Sequence, residues 1–395
     1  MTGSIKKRSS GSYQVAIYLG FDSNGKQQYH RETVRGTKGD AQKRLAELLT
    51  RLHRGETVKA SKISVGEYLD QWLASYAKVN VSRKTFERYD ELVRLTIKPH
   101  VGDIVLDHFQ PLQLQQLYST LLQSGRKNKA KSGSLGLSAR TVLHVHRLLH
   151  KALQHAVKWQ LLYRNPCDAV EPPRPESHEM RTLNEAESAW LLEAAFPTRL
   201  YPGILLGIAT GLRRGEVLGT RWSDIDFVSK SLVVNQAIEK TKEGGIRFKQ
   251  PKSKKSRRTV PLPEFALPAL REFRSKQDDE RTLYGADYAK HDLVCAQPDG
   301  SPMDPDNYSS DVIRFMTKIG LSGVSFHKLR HGYATYLFAQ NVHPKVVQEL
   351  LGHSTIAITM DLYSHIMPGM REEAVAKLDS VMSGAIAKQK RQPRN

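Results

Sequence analysis

Cysteine is scarce in this sequence, and long apolar runs are missing. Only Cys167 and Cys295 occur in 395 residues, and they lack the paired spacing of a metal-binding motif. This scarcity excludes a disulfide-stapled scaffold, a cysteine-rich zinc module and an iron–sulfur site. The longest apolar stretch, Tyr201 to Leu212, is about 12 residues long and is interrupted by Pro202, whereas a membrane-spanning helix needs about 20.

Acidic residues are the other deficit. The chain has 40 Asp and Glu against 60 Lys and Arg, a net charge of +20, and basic residues are in excess in each of the segments 1–57, 58–178 and 179–395. This spread predicts that every segment contacts a polyanion, and a merely solvated basic surface is the alternative. Residues 1–10 lack the apolar core of a secretory signal, so we expect the reducing cytoplasm as the compartment.

Residues 1–57 have the pattern of a small sheet followed by a helix. Ser12–Phe21 and Gln27–Val34 alternate like strands around an Asn24-Gly25 turn, and leucines recur at helical spacing in Gly39–His53. We expect a small α+β domain in which a three-stranded sheet packs on one helix and its basic side reads a DNA groove. An ordinary small α+β domain without that role is the alternative.

Residues 58–178 have the periodicity of an all-α domain. The predicted helices are Val65–Tyr76, Arg83–Ile97, Pro111–Leu122 and Ala139–Gln160. Gly125–Gly136 is rich in Lys, Ser and Gly and is predicted to be a mobile basic loop. The proline-rich stretch Pro172–Pro175 then marks a domain boundary, which we place at residue 178.

Residues 179–395 are predicted to form a mixed α/β, mainly helical domain. The expected elements are helices over Glu185–Ala195, Tyr201–Gly211 and Phe265–Ser275, a strand over Leu232–Ile238 that opens a hairpin, and further helices toward the C-terminus.

Unusual polar residues gather in this third segment. Arg213 and Glu216 follow an apolar helix, and six of the ten residues 249–258, a predicted hairpin tip, are basic. His327 and Arg330 are three apart and therefore share a helix face. Taken singly, these features are also explained by surface ion pairs and solvated basic faces. His327 and His331 lack the glutamate of a zincin motif, so a metal pair is disfavoured.

The order of the motifs is more specific than any one of them. Arg213-x-x-Glu216, a lysine in the basic segment, His327-x-x-Arg330, Leu351-Gly352-His353 and then Tyr363 follow one another over roughly residues 181–370. In this order the sequence resembles the tyrosine recombinase (phage integrase) family. It is most similar to the three-domain integrases of temperate phages and integrative conjugative elements. The resemblance implies an arm-binding domain over 1–57, a helical core-binding domain over 58–178 and a catalytic domain over 179–395.

The resemblance also implies a mechanism for DNA cutting and rejoining. Tyr363 is the implied nucleophile, which forms a 3′-phosphotyrosyl intermediate and frees a 5′-hydroxyl. The other implied catalytic residues are Arg213, Lys252, His327, Arg330 and His353, with Lys254 as second choice for the lysine and Glu216 in a supporting role. Two arginines stand where other phosphoryl-transfer enzymes hold metal ions, so no metal and no cofactor are expected.

The implied partners are double-stranded DNA with core and arm attachment sites, and a homotetramer on that DNA. The segment Arg371–Ser383 is expected to pack on a neighbouring subunit. The resemblance leaves room for an accessory protein that sets direction or bends DNA. No membrane is involved, and the expected location is the nucleoid in the cytoplasm of a bacterial host. The alternatives are a type IB topoisomerase-like enzyme and a non-catalytic DNA-binding regulator on an integrase scaffold. The attachment sequence, the host, the kind of mobile element and the direction bias are not readable here.

Overall fold

The chain divides into two compact units, residues 1–178 and 179–395. The computed structural model describes residues 3–21, 27–53, 63–126, 133–176, 181–250, 257–364, 375–376 and 378–383.

The first unit begins with the predicted sheet and helix. The strands β1 (Gly3–Ser9), β2 (Ser12–Phe21) and β3 (Gln27–Arg35) form an antiparallel sheet in that order, followed by α1 (Lys38–His53). One sheet face packs on α1, where Val15, Ile17, Ala41 and Leu48 are buried together. The three-stranded sheet packed on one helix is therefore confirmed, whereas the predicted Asn24-Gly25 turn lies outside the described residues.

The start of α1 is fixed by its sequence. Thr37 accepts from the Asp40 backbone N–H through its Oγ1 at 3.2 Å, and the Asp40 carboxylate accepts from the Thr37 N–H at 2.8 Å. This reciprocal pair satisfies two N–H groups that a helix start would otherwise leave unpaired.

The remainder of the first unit is helical, as predicted. Its helices are α2 (Val65–Trp72), α3 (Lys78–Asn80), α4 (Arg83–Leu92), α5 (Lys98–Val101), α6 (Pro111–Ser124) and α7 (Ala139–Lys158). Wide π-helical turns over Leu73–Ala77 and Val93–Ile97 join α2 to α3 and α4 to α5. These two helical stretches are therefore less regular than predicted, because an i→i+5 turn adds a residue that simple 3.6 periodicity does not count. They also run past the predicted ends at Tyr76 and Ile97, to Asn80 and Val101, whereas α7 ends at Lys158, two residues before the predicted end.

The helices of this unit share one apolar core. Tyr68, Trp72, Tyr118 and Leu148 are among its fully buried side chains. Trp72 donates its indole N–H to Nδ1 of His155 on α7 at 2.8 Å, so α2 and α7 are held at a fixed distance. Residues 127–132, half of the predicted mobile loop Gly125–Gly136, lie outside the described residues.

The second unit is mixed α/β and mainly helical. Its helices are α8 (Glu185–Ala195), α9 (Tyr201–Thr210), α10 (Arg214–Gly219), α11 (Ala266–Tyr284), α12 (Pro305–Lys318), α13 (Phe326–Ala339), α14 (Pro344–Leu351) and α15 (Ile356–Ser364). Its strands are β4 (Ile225–Asp226), β5 (Ser231–Val233), β6 (Ala237–Thr241), β7 (Gly245–Lys249) and β8 (Thr259–Pro261). The order β4-β5-β8 makes one antiparallel sheet, and β6-β7 is a separate hairpin. The apolar α9 is almost wholly buried and packs against α8, α10, α11 and α13.

Three predictions for this unit are corrected. Leu232–Ile238 is not one strand, because the chain leaves β5 at Val234 and enters the other sheet at Ala237. At this crossing the Asn235 amide donates to Asp224 Oδ1 at 2.8 Å and the Gln236 amide donates to the Gly219 carbonyl at 2.9 Å.

The basic segment is not the tip of a hairpin, since it joins β7 in one sheet to β8 in the other. The hairpin turn lies instead between Thr241 and Gly245. The helix predicted over Phe265–Ser275 continues to Tyr284. The added residues 276–284 are mostly charged and exposed, so they show no apolar periodicity.

Across the described part of the chain, no helix is both long enough and apolar enough to span a bilayer.

Candidate active site

The site begins at the end of the buried helix α9. Gly211 closes this helix with a φ of +62°, a left-handed conformation that glycine adopts without strain. A Cβ here would lie 2.5 Å from the Tyr333 ring on α13, so the glycine also permits close packing. The sharp turn that follows brings Arg213 to the position just before α10.

Arg213 is exposed, and its guanidinium is held from two directions. Nη1 donates to Glu216 Oε1 at 2.9 Å, and Nη2 donates to the Gly352 carbonyl at 2.9 Å. The backbone N–H of Arg213 also donates to Glu216 Oε2 at 3.0 Å. The side chain is therefore oriented while part of its surface remains open to solvent.

Arg330 on α13 is the buried counterpart, with 3% of its surface exposed. It donates to the Gly211 carbonyl at 2.8 Å and to the Leu351 carbonyl at 2.7 Å. Both carbonyls belong to the last turns of helices, α9 and α14, where backbone oxygens lack intrahelical partners and carry partial negative charge. Neither hydrogen bond goes to a carboxylate, so the guanidinium is not paired directly with a full negative charge.

The charge of Arg330 persists despite its burial. Loss of hydration and then the neighbouring Arg213 lower the pKa of Arg330 to about 9, while Glu216 acts in the opposite direction. The group is therefore a cation at neutral pH.

Glu216 is shared by two arginines. Besides Arg213, it accepts from Arg258 Nη2 at 2.8 Å and from Arg258 Nη1 at 3.2 Å. Burial tends to raise the pKa of Glu216, but the hydrogen bonds and charges of Arg258 and Arg213 outweigh that effect and bring the pKa to about 2. The carboxylate is therefore ionised throughout the physiological range.

Three histidines lie around the arginines, and all are neutral at neutral pH. Loss of hydration is the largest cause of their lowered pKa values, and neighbouring charged groups add to it. Together they lower the pKa of His327 and bring the pKa of both His331 and His353 to about 4. His353 is hydrogen-bonded through Nδ1 to the hydroxyl of the buried Thr359 at 2.9 Å. The rings of His327 and His331 meet edge to face at 4.6 Å. Neutral imidazoles can both donate and accept protons here.

The remaining predicted residues are only partly placed. Tyr363 lies on α15, four residues after Thr359, but its side chain is outside the described part of the chain. Lys252 and Lys254 both lie outside the described residues. The structure thus brings together Arg213, Glu216, His327, Arg330 and His353.

Sequence reasoning missed two contributors. Arg258 contacts Glu216 and the Leu350 carbonyl, and Thr359 holds His353. Within the run of basic residues nothing distinguishes Arg258 from its neighbour Arg257, and a threonine six residues after a histidine carries no motif. Contacts between distant segments identify both residues.

The arrangement suits a phosphate diester. Three guanidinium groups face one carboxylate, and planar guanidinium forks match pairs of phosphate oxygens. Within the described ranges no group of three or more His, Cys, Asp and Glu side chains has the arrangement of a metal site.

Comparison with known proteins identifies integrases and tyrosine recombinases as relatives of this chain. The profile of the phage integrase family matches residues 173–369, and that of the phage integrase N-terminal SAM-like domain matches residues 64–122. A tyrosine recombinase XerC-like protein of Caldanaerobacter subterraneus is 31% identical, over 95% of this chain and 97% of its own length. The ICEBs1 integrase of Bacillus subtilis is 26% identical, over 96% of this chain and 100% of its own length.

Solved structures share the fold. The Tn1549 transposon integrase in complex with circular intermediate DNA has a TM-score of 0.67 at 20% identity, covering 80% of this chain and 99% of that one. A lambda integrase dimer bound to a core site has a TM-score of 0.56 at 18% identity, covering 91% of this chain and 94% of that one.

Proposed function

The chain belongs to the phage integrase family of tyrosine recombinases, enzymes that break and rejoin DNA at specific sites, and we propose that its arginine cluster is the phosphate-binding part of the active site. The observation that carries the proposal is the pair Arg213 and Arg330. Both are oriented by backbone carbonyls at helix ends, and Arg330 remains cationic despite its burial.

The two arginines divide the work on the scissile phosphate. Negative charge spreads over the non-bridging oxygens in the transition state, and preorganised cations lower its energy without having to rearrange. Arg330 supplies charge from below the surface, and the exposed Arg213 supplies a fork that reaches the phosphate. Glu216 orients Arg213 and does not contact the DNA.

Tyr363 is the nucleophile in this proposal. Its phenolic oxygen attacks phosphorus, the bond to the 5′-oxygen breaks, and a 3′-phosphotyrosine forms. Lys252 gives a proton to the departing 5′-oxygen, with Lys254 as second choice. His327 and His353 hydrogen-bond the phosphate, and His327 assists in removing the tyrosine proton. The neutral state of both histidines supports these roles, because a neutral imidazole can accept that proton.

The first domain, residues 1–57, is proposed to bind arm sites through the outer face of its sheet. The register places Lys6, Arg31 and Tyr29 on the face opposite the α1 packing, and the Arg31 guanidinium lies 5.2 Å from the Tyr29 ring centre. Glu32 is the one carboxylate within the three strands, and it pairs with Arg44 of α1 at 3.1 Å. The outer face is therefore cationic and aromatic, which favours phosphate contacts.

Residues 58–178 and 179–395 are proposed to hold the core site, as a homotetramer on double-stranded DNA. Among the described residues of Arg371–Ser383, the large apolar side chains of Val375, Leu378, Val381 and Met382 are exposed in the single chain. Their exposure supports packing of this segment on a neighbouring subunit. An accessory protein that sets direction or bends DNA fits the same scheme. With DNA as substrate and relatives in bacteria, the proposed location is the bacterial nucleoid.

Covalent trapping tests the nucleophile. The substrate is a nicked core site from which the short fragment with the new 5′-hydroxyl dissociates after cleavage, so that religation is prevented. On this substrate we expect the protein to accumulate a DNA adduct at Tyr363. Tyr363→Phe should bind the same DNA normally and form no adduct, because only the phenolic oxygen is lost. Adduct formation by the variant, with Tyr333 or Tyr336 labelled, would contradict the assignment. A DNA-binding regulator would form no adduct at all, and a topoisomerase would relax supercoils without exchanging strands between two sites.

Sulfur substitution tests the lysine separately. A 5′-thiolate leaves without being protonated, so a 5′-bridging phosphorothiolate should restore cleavage by Lys252→Ala. Restoration for Lys254→Ala, but not for Lys252→Ala, would move the general acid to Lys254.

A further inference from the structure

Two adjacent arginines end the basic segment between β7 and β8, and their surroundings differ. Arg257 is exposed, whereas the side chain of Arg258 has only 8% of its surface exposed. A buried arginine requires partners for its N–H groups, since an unpaired buried charge is strongly destabilising.

The partners of Arg258 lie on two other elements. Its Nη1 and Nη2 form a fork with both oxygens of Glu216 on α10, and its Nε donates to the Leu350 carbonyl on α14 at 2.8 Å. Its backbone carbonyl accepts from the Val234 N–H at 2.9 Å beside β5. The backbone is thus fixed next to one sheet while the side chain joins two helices.

These two helices also carry the supports of Arg213, which are Glu216 Oε1 and the Gly352 carbonyl. Arg258 holds Glu216 directly and grips the last turn of α14 two residues before Gly352. A Cβ at Gly352 would lie 2.8 Å from Arg258 Nη1, so the glycine permits this approach. Arg258 therefore braces both supports of the exposed guanidinium.

We infer that Arg258 is a positioning residue for strand cleavage, acting through Arg213. The inference rests on the proposed role of Arg213 at the scissile phosphate. Three of the five N–H groups of the Arg258 guanidinium already donate within the protein, and only 8% of the side-chain surface is exposed, so this side chain is poorly placed to bind DNA. Without Arg258, both oxygens of Glu216 would be free to pair with the Arg213 guanidinium. Such a pair would turn the guanidinium toward Glu216 and weaken its interaction with the phosphate.

The test compares Arg258→Lys and Arg258→Gln with the matched control Arg257→Gln in the full chain. Covalent complex formation on the nicked core-site substrate is measured together with core-site affinity and the thermal midpoint. We expect both Arg258 variants to cleave about 10²-fold more slowly, a loss typical of a small misplacement in an active site. Core-site affinity should match that of the control, which should cleave at the unmodified rate. The thermal midpoint of both Arg258 variants should fall below that of the control, because Glu216 loses a buried partner, but both variants should stay folded at the assay temperature.

Two readouts distinguish positioning from general structural support. The double variant Arg213→Lys/Arg258→Lys should cleave no more slowly than Arg213→Lys alone, because both changes disable the same group. The 5′-bridging phosphorothiolate should not restore Arg258→Lys, since its defect concerns charge stabilisation and not the leaving group.

Several results would overturn the inference: an unmodified cleavage rate, additive losses in the double variant, restoration by sulfur, or a loss of folding or DNA binding that accounts for the lost cleavage. Failure of the proposed function is recognised separately. In that case the unmodified protein forms no adduct at Tyr363, or Arg213→Lys cleaves normally.

Discussion

The chain presents cationic groups in two contrasting ways. On the outer face of the first sheet, Lys6 and Arg31 are exposed, and the strand partners set their spacing. In the second unit, the side chains of Arg330 and Arg258 are buried, and the groups that accept their hydrogen bonds lie on other elements.

This difference supports the two proposed roles, DNA binding for the exposed cations of the sheet and strand cleavage for the arginine cluster. Exposed cations lose little hydration when they bind a phosphate, and salt screens their charge. They therefore add binding affinity without fixing the geometry of the phosphate. Buried guanidinium groups are dehydrated and oriented in advance, which is what stabilisation of a transition state requires. Substitutions in the two regions should therefore fail in different ways.

The largest expected effect lies within the arginine pair. Arg330→Lys keeps the charge but loses the planar fork that serves the carbonyls of Gly211 and Leu351. We expect cleavage to fall about 10²- to 10³-fold and the free energy of unfolding to fall by about 1–3 kcal/mol. Arg213→Lys should lose a similar amount of cleavage with little change in stability, because Arg213 is exposed. Single-turnover cleavage and urea unfolding measure the two quantities, and equal stability losses in both variants would contradict the contrast.

An intermediate effect concerns acid. The pKa of His331 and of His353 is about 4 in the folded chain against 6.5 when unperturbed. The unfolded chain therefore takes up protons first as pH falls. Their stabilising contribution is complete above about pH 6.5 and is lost between pH 6.5 and 4. Glu216, with a pKa of about 2 against 4.5, adds a separate loss below pH 4.5.

Urea unfolding of the DNA-free protein between pH 7 and 4 measures this loss. His353→Asn should reduce the dependence of stability on pH between pH 6.5 and 4, because the ring that takes up the proton is removed. An unaltered dependence in His353→Asn would mean that the ring is not held neutral by its surroundings.

The smallest effect is expected on the sheet. Arg31→Ala should weaken binding to arm-site DNA modestly, and it should lower the log–log salt slope by about 0.9 for one lost phosphate contact. Cleavage of a core-only substrate should not change. Lys43, exposed on α1 at the other layer, offers the matched control Lys43→Ala. Equal slopes for the two variants would place the DNA on another surface of this domain.

The sequence alone determined the sheet-then-helix pattern of residues 1–57, the helical character of the rest of the first unit and the identity of most candidate site residues. Alternation predicted β2 and β3, three- and four-residue spacing predicted the helices of the first unit, and the motifs from Arg213 to Tyr363 stand in one order along the chain. The alternation and the helical spacing are local features, since they depend on neighbours within a few residues.

Only the tertiary structure decided which partners hold those residues. Arg330 and Gly211 are 119 residues apart, and Arg258 and Leu350 are 92 apart, yet each pair forms a hydrogen bond. The change of sheets between β5 and β6 is accompanied by contacts of shorter range, in which Asp224 and Gly219 accept from the amides of Asn235 and Gln236, 11 and 17 residues away. No periodicity encodes such contacts. They arise because buried donors and acceptors must be paired by whichever groups the packed core brings within reach.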